Sequence, residues 1–217
     1  MSDIFQEVHD EVRQDKYHEL WRAYGKYAIA LAVALVLGTA GWQAWKSYAV
    51  VQREAESVEF FSAMELLTEG QHGLAADAFS KLGEKTSSGY GALARFRQAE
   101  ALIATGNADA AVEIYDQLAA DSSVDKRMRD LAALYATMQL MEIASADELK
   151  SRLGLLIDDD NPWRFTAREL YAVVAYKAGD LDVARDTFSG LANDPNAPSP
   201  LKARAAEMLA VVGVAVE

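Results

Sequence analysis

Apolar residues are distributed along this chain in two ways. From Tyr27 to Trp45, 19 consecutive positions carry no formal charge. Downstream, apolar residues recur at three- and four-residue steps among charged ones, as the faces of amphipathic helices require. No stretch alternates with period two over a useful length. The expected fold class is therefore all-α: one long apolar helix followed by an array of amphipathic ones.

The apolar span has the dimensions of a membrane anchor. At about 1.5 Å per residue, 19 helical residues cover about 28 Å, against a hydrocarbon core of about 30 Å. The interior is Ala, Val, Leu, Ile and Gly, with Thr39 and Gln43 as its clearly polar side chains. Tyr27 stands at one end and Trp42, Trp45 and Tyr48 at the other, where interfacial aromatic residues belong. The 26 preceding residues hold six acids and four bases, unlike a cleaved leader, and the span is longer than a leader's apolar core. We read an uncleaved signal anchor. The expected domains are a head (1–26), an anchor (27–47) and a helical body (48–217). From Trp42 to Glu69 there is neither Gly nor Pro, so the anchor is expected to run straight into the first helix of the body as a stiff tether. The head carries its own apolar stripe of Ile4, Phe5, Val8, Val12, Leu20, Trp21 and Tyr24, suited to docking on a partner or extending the anchor.

The body repeats itself. Gly70-x4-Ala75-x3-Phe79-x2-Leu82 recurs as Gly106-x4-Ala111-x3-Tyr115-x2-Leu118 and as Gly179-x4-Ala184-x3-Phe188-x2-Leu191. The glycines are 36 and 73 residues apart. The second interval is about two periods, which predicts a degenerate repeat around Glu142 to Leu156. Such periods mark stacked helical hairpins. Gly lets the chain leave a first helix through positive φ, Ala sits at the close crossing, and the aromatic and Leu follow on the buried face. Leu93, Phe96, Ala99, Leu102 and Ile103 form the apolar stripe of one preceding helix. Leu170, Val173, Val174 and Ala178 form that of another. Asn161-Pro162 and Ser199-Pro200 place a capping side chain before a Pro in the first turn, and Ser145-x-x-Glu148 is a capping box.

Charge narrows the function classes. From Tyr48 onward the chain has 16 Lys/Arg and 27 Asp/Glu, a net charge of −11. A surface this acidic repels phosphate backbones, so no nucleic-acid partner is expected. There are no cysteines, which excludes disulfides and thiolate chemistry. His9, His18 and His72 lack helical-spaced partners, so no metal is expected. Asp158-Asp159-Asp160 reads as a solvated loop ahead of Pro162. No phosphate loop, nucleophile elbow or zinc-protease motif is present. The protein is expected to be neither an enzyme nor a cofactor binder. Arg13, Lys16, Arg22 and Lys26 precede the span and Lys46 and Arg53 follow it, which favours a cytoplasmic N-terminus and an exported body. Ala30, Ala34 and Gly38 form a small-residue row that leaves a homodimer open.

Two resemblances add to this. The Gly-x4-Ala-x3-aromatic unit resembles the tetratricopeptide repeat, with Arg95, Gln98, Ala99 and Leu102 where that repeat's first helix carries its signature. Trp21-x3-Gly25-Lys26 before the span, Gly41-Trp42-x2-Trp45-x2-Tyr48 at its end and the degenerate repeats behind them resemble the YfgM-like family, membrane-anchored tetratricopeptide-like proteins described as ancillary subunits of the SecYEG translocon. The longer acidic head, Phe5 to Glu19, departs from that pattern. The resemblance implies a bacterial inner-membrane adaptor with its body in the periplasm, and as partners SecYEG and periplasmic chaperones. A self-associating envelope protein and an accessory scaffold for an envelope enzyme are the alternatives. In tetratricopeptide arrays the first helix of each hairpin lines a groove. Through the glycine register this points to Leu93, Phe96, Glu100 and Ile103, and to Thr166, Glu169, Val173 and Tyr176. Phe96, Glu100, Glu169 and Tyr176 are the candidate protein-binding residues.

Overall fold

The computed structural model describes residues 3–85 and 89–214, without the side chains of residues 3–20, Ala23, Ala28 and Val214. Among these residues nine helices occur and no strand. Contacts divide the chain into two units, Met1–Glu54 and Ala55–Glu217.

The first helix, α1 (Asp3–Thr68), is uninterrupted, as the absence of Gly and Pro beyond the span predicts. It contains the one helix segment among the described residues that is long and apolar enough to cross a membrane. Leu35, Val36 and Leu37 point in three different directions and are 61%, 65% and 67% exposed. The span is apolar on every side and, among the described residues, lies uncovered, which is the pattern of a helix long and apolar enough to cross a membrane. The hydroxyl of Thr39 donates to the carbonyls of Leu35 and Val36 at 2.9 and 3.0 Å, so the span's Thr keeps its hydrogen bond inside the helix. Ahead of the span, a Cβ on Gly25 would lie 3.2 Å from the indole of Trp21. Glycine there lets the ring lie against the backbone one turn on. The Lys26 ammonium sits 5.0 Å from the centroid of the Tyr27 ring. The head residues Ile4, Phe5, Val8, Val12 and Leu20 of the expected stripe lie outside the described side chains; Trp21 and Tyr24 are exposed.

The second unit is a run of antiparallel hairpins. The end of α1 packs on α2 (His72–Lys85) through Phe60 and Ala63, which join the cluster of Ala75, Phe79 and Leu82. Next, α3 (Gly89–Ala104) pairs with α4 (Ala108–Ala120), α5 (Lys126–Leu140) with α6 (Ala146–Gly154), and α7 (Arg164–Lys177) with α8 (Leu181–Asn193). Helix α9 (Ser199–Val214) packs on α8 and touches α7. The repeat register is the core. Ala75, Phe79 and Leu82, then Ala111, Tyr115 and Leu118, then Ala184, Phe188 and Leu191 are all buried. Each large side chain so placed contributes about 1.5–3 kcal/mol of apolar burial. Gly70, Gly106 and Gly179 have φ of 76°, 83° and 84°. After each, two backbone bonds close the helix end, for example Gly106 N–H to Ile103 O at 3.0 Å and Asn107 N–H to Leu102 O at 2.9 Å. A side chain would strain that left-handed residue.

The degenerate repeat is where the spacing places it. Leu149, Leu153 and Leu156 occupy the Ala, aromatic and Leu positions and are buried. Ala144 stands in the glycine position with no positive φ. The turn from Met141 to Ser145 is longer than the glycine turns that follow α1, α3 and α7, and Ser145 Oγ accepts from Glu148 N–H at 3.2 Å. A longer turn with a side-chain cap removes the need for glycine.

Two caps differ from expectation. Asn161 Oδ1 accepts from Trp163 N–H at 2.9 Å, but α7 begins only at Arg164 behind Trp163, so Asn161 closes the turn before the helix. Its Nδ2 donates to Asp130 Oδ2 at 3.0 Å, which ties α7 to α5. At α9 the first backbone bonds, from Leu201 and Lys202, fall on the Pro198 carbonyl. The helix therefore starts before Ser199 has a chance to cap it. Ala178 is exposed at the end of α7, and Ala175 takes the buried position instead.

Three ion pairs between successive hairpins fall about one repeat apart. Arg152 pairs bidentately with Asp116 at 2.8 and 3.2 Å, Lys177 with Glu142 at 2.6 Å and Arg204 with Glu169 at 2.7 Å. These polar contacts follow the same period as the apolar core.

Candidate protein-binding groove

Small residues decide where α3 leaves space. Gly91, Ala92, Ala94, Ala99 and Ala101 are its buried positions, so the helix packs closely on its neighbours. Leu93, Phe96, Arg97, Glu100 and Ile103, at steps of three and four, fall on another face. In α5 the buried residues are Ala132, Leu134, Ala136 and Thr137, and the Thr137 hydroxyl is satisfied by Ala133 O at 2.8 Å. Met128, Leu131, Tyr135, Met138 and Gln139 face the stretch of α3 just named.

Between them lies a cleft of about 480 Å³ with Tyr115 of α4 at its floor. Three rings line it: Phe96 and Tyr115 with centroids 5.8 Å apart, Phe96 and Tyr135 at 5.9 Å, and Tyr115 and Tyr135 at 5.6 Å. Leu93, Tyr135 and Met138 remain 44%, 38% and 43% exposed. Burial, followed by the neighbouring Tyr135 and Glu100, pushes the Tyr115 phenol up to about 12, so it is a neutral hydroxyl at any physiological pH. The rim carries one ion pair, Arg97 with Glu100. Both partners are about half exposed and one turn apart, so the pair adds little stability. The wall is thus apolar and aromatic, with its one cation neutralised by its one anion.

The later candidates lie elsewhere. Glu169 accepts from Arg204 Nε and Nη2 of α9, both at 2.7 Å. Val173 and Tyr176 pack against the cluster of Phe165, Ala172, Leu201, Ala205 and Val212. Thr166 is half-buried beside them. The structure brings Leu93, Phe96, Glu100 and Ile103 together in an open cleft, and brings Glu169 and Tyr176 into a seam that α9 occupies. Reasoning from the glycines alone misses Met128, Leu131, Tyr135 and Met138, because α5 is followed by no glycine. The signal was available: these residues follow helical steps on a face other than the buried Ala132, Leu134 and Ala136.

A second cleft, of about 450 Å³, is bounded by Ile157, Arg168, Tyr171, Thr187 and Asp194. Its guanidinium is already committed to Ile157 O at 3.0 and 2.7 Å and to Asp159 at 2.6 Å. These bonds from Arg168 hold the Asp159 carboxyl below its ordinary value. Among the described residues no group of acids and histidines converges as a metal site.

A stack of hairpins that presents an apolar cleft between successive first helices is a scaffold of the helical-repeat class. The chain belongs to the tetratricopeptide repeat-like domain family, whose model matches residues 18–206. Among individual proteins, it is 24% identical over 196 residues to the ancillary SecYEG translocon subunit of Escherichia coli (strain K12), covering 88% of this chain and 91% of that one. The resemblance carried by Trp21-x3-Gly25 and by the aromatic end of the span thus extends over nearly the whole length. Among solved structures, the nearly identical TPR-like repeats of a putative kinesin light chain from Podosopora anserina match with a TM-score of 0.54 at 14% identity, over 71% of this chain and 83% of that one. A point variant of the same repeats matches with a TM-score of 0.55 at 15% identity, over 71% of this chain and 82% of that one. These two share the fold alone. The family and the relative support a protein-binding role.

Proposed function

We propose that this chain is a bacterial inner-membrane adaptor. Residues 27–47 anchor it, the head 1–26 faces the cytoplasm, and the body 48–217 faces the periplasm and binds other proteins. The partners are the SecYEG translocon and periplasmic chaperones that receive emerging chains. The observation that carries the reading is the open cleft between α3 and α5, with Phe96 and Glu100 on its wall, in a chain that also bears a membrane-length apolar helix. The match to a translocon subunit supports the named partner. The Lys/Arg excess ahead of the span supports the orientation.

In-cell photocrosslinking tests it. A photoreactive residue at position 96 is expected to give adducts with translocon subunits or periplasmic chaperones. A C-terminal reporter is expected to be active only when exported. A reporter active in the cytoplasm overturns the topology. Adducts from position 96 only to an envelope enzyme, or none, overturn the partner assignment. The self-associating alternative rests on the exposed row Ala30, Ala34 and Gly38 and would appear as a self-adduct from the anchor.

A further inference from the structure

The cleft between α3 and α5 also specifies the chemistry of its occupant. We infer that it takes a protein segment with large apolar side chains flanked by Lys or Arg. This inference rests on the adaptor reading above and names the partner class for the same site.

The apolar requirement comes from the wall. Leu93, Phe96, Tyr115, Met128, Tyr135 and Met138 offer aromatic and thioether surface. A volume of about 480 Å³ falls within the ~300–1,000 Å³ of clefts that hold ligands. Unbranched methionines adjust to anchors of differing shape, which suits a site that accepts more than one sequence. An amphipathic helix would enter with anchors at three- and four-residue steps.

The charge requirement comes from the whole body and from the rim. Residues 48–88 carry 3 Lys/Arg and 7 Asp/Glu, residues 89–156 carry 7 and 10, and residues 157–217 carry 6 and 10. Every third of the body is therefore acidic; the densest basic run, Lys126-Arg127-Met128-Arg129, has Lys126 paired with Asp130 at 2.8 Å and lies within a stretch whose acids outnumber its bases. Arg97 is the cation on the cleft wall and is held by Glu100. A Lys or Arg arriving beside an apolar anchor meets a favourable long-range field and finds Glu100 at the rim; an acidic segment meets repulsion on approach. The same argument disfavours two local occupants. The chain's own head has six acids against four bases, and a second copy of the body carries the same negative charge.

The test uses the full chain in nanodiscs of zwitterionic lipid and three fluorescent peptides of about 14 residues with apolar anchors at helical spacing. The first has Leu and Phe anchors with Lys between them. The second replaces Lys by Glu, and the third replaces the anchors by Ser. Fluorescence anisotropy is expected to give at least about tenfold tighter binding for the Lys peptide than for the Glu peptide, weakening as salt rises from about 50 to about 300 mM. The Ser peptide is expected not to bind. Tyr135→Ser is expected to weaken the Lys peptide about tenfold at unchanged Tm. Leu93→Ser, at a more exposed position, provides the same readout should Tyr135→Ser unfold the body. Arg97→Gln is expected to tighten Lys-peptide binding by freeing Glu100. Equal binding of the Lys and Glu peptides, binding that survives both Ser variants, or a signal matched by empty nanodiscs overturns the inference. If that happens while in-cell adducts from position 96 persist, the adaptor reading stands and only the partner chemistry falls. Loss of those adducts removes the adaptor reading itself.

Discussion

The seam between α3 and α5 and the seam between α7 and α9 are built from corresponding positions and end differently. Leu93, Phe96, Glu100 and Ile103 stand 73 residues before Thr166, Glu169, Val173 and Tyr176. In the first seam the opposing helix offers Met128, Tyr135 and Met138, and a cleft of about 480 Å³ remains. In the second, α9 supplies Arg204, which clamps Glu169 through two 2.7 Å bonds. Leu201, Ala205 and Val212 then close the apolar surface. Repeat register fixes which residues face the next hairpin. The residues of that next helix decide whether the face becomes a binding wall or part of the core.

Large effects are expected on the closed side. Phe188 is fully buried beneath α9, and Phe188→Ala should cost about 3–5 kcal/mol. Chemical denaturation of the full chain checks this, and a loss near zero would mean that the C-terminal cluster is not a core. The close crossing in the α3–α4 hairpin should be nearly as sensitive. Ala111 is fully buried, so Ala111→Leu should cost on the order of 1–3 kcal/mol by overpacking. Asp109→Leu, at an exposed position, should cost about 0.5 kcal/mol or less. Equal Tm values for the two variants would break the repeat register on which the comparison rests.

Smaller effects are expected with pH on the open side. Burial raises the Tyr115 phenol to about 12 from an ordinary 10.0. A phenol raised in the folded state stabilises below its unfolded value. That contribution is therefore complete below about pH 10 and fades as pH rises toward 12. Ultraviolet titration should show a late-ionising phenol that Tyr115→Phe removes. At the acid end, the Ser123 hydroxyl and N–H, with Arg95, hold Asp121 below its ordinary 3.8. A carboxyl lowered in the folded state stabilises at neutral pH, and the contribution is lost as pH falls below about 4 through the folded value. Asp121→Asn should flatten the acid limb of a Tm-against-pH curve and leave the alkaline limb unchanged. A Tyr115 that titrates at the ordinary phenol value of 10.0 would show that the cleft floor is open to water.

Much of the fold was legible in the sequence because its signals are steric. Gly70, Gly106 and Gly179 mark turns that need positive φ, and the Ala, aromatic and Leu that follow each one are buried as the spacing requires. The third hairpin was legible only as a gap of two periods, since its turn solves the same problem with Ser145 and extra length. The cleft was half legible. Its α3 wall follows from the register, while its α5 wall follows from a helix that no glycine announces. The pairing of Glu169 with Arg204 joins residues 35 apart through a helix that the repeat pattern does not mark, so spacing held no sign of it.

The central claim is that the α3–α5 seam binds partners while the α7–α9 seam holds the fold. Tyr135→Ala and Tyr176→Ala test it directly when adduct yield from a photoreactive residue at position 93 is measured beside Tm in the same full-length chain. The expected result is a loss of adducts with unchanged Tm for Tyr135→Ala, and a lowered Tm with adducts retained by the folded fraction for Tyr176→Ala. Adducts that survive Tyr135→Ala but vanish with Tyr176→Ala at an unchanged Tm would contradict it.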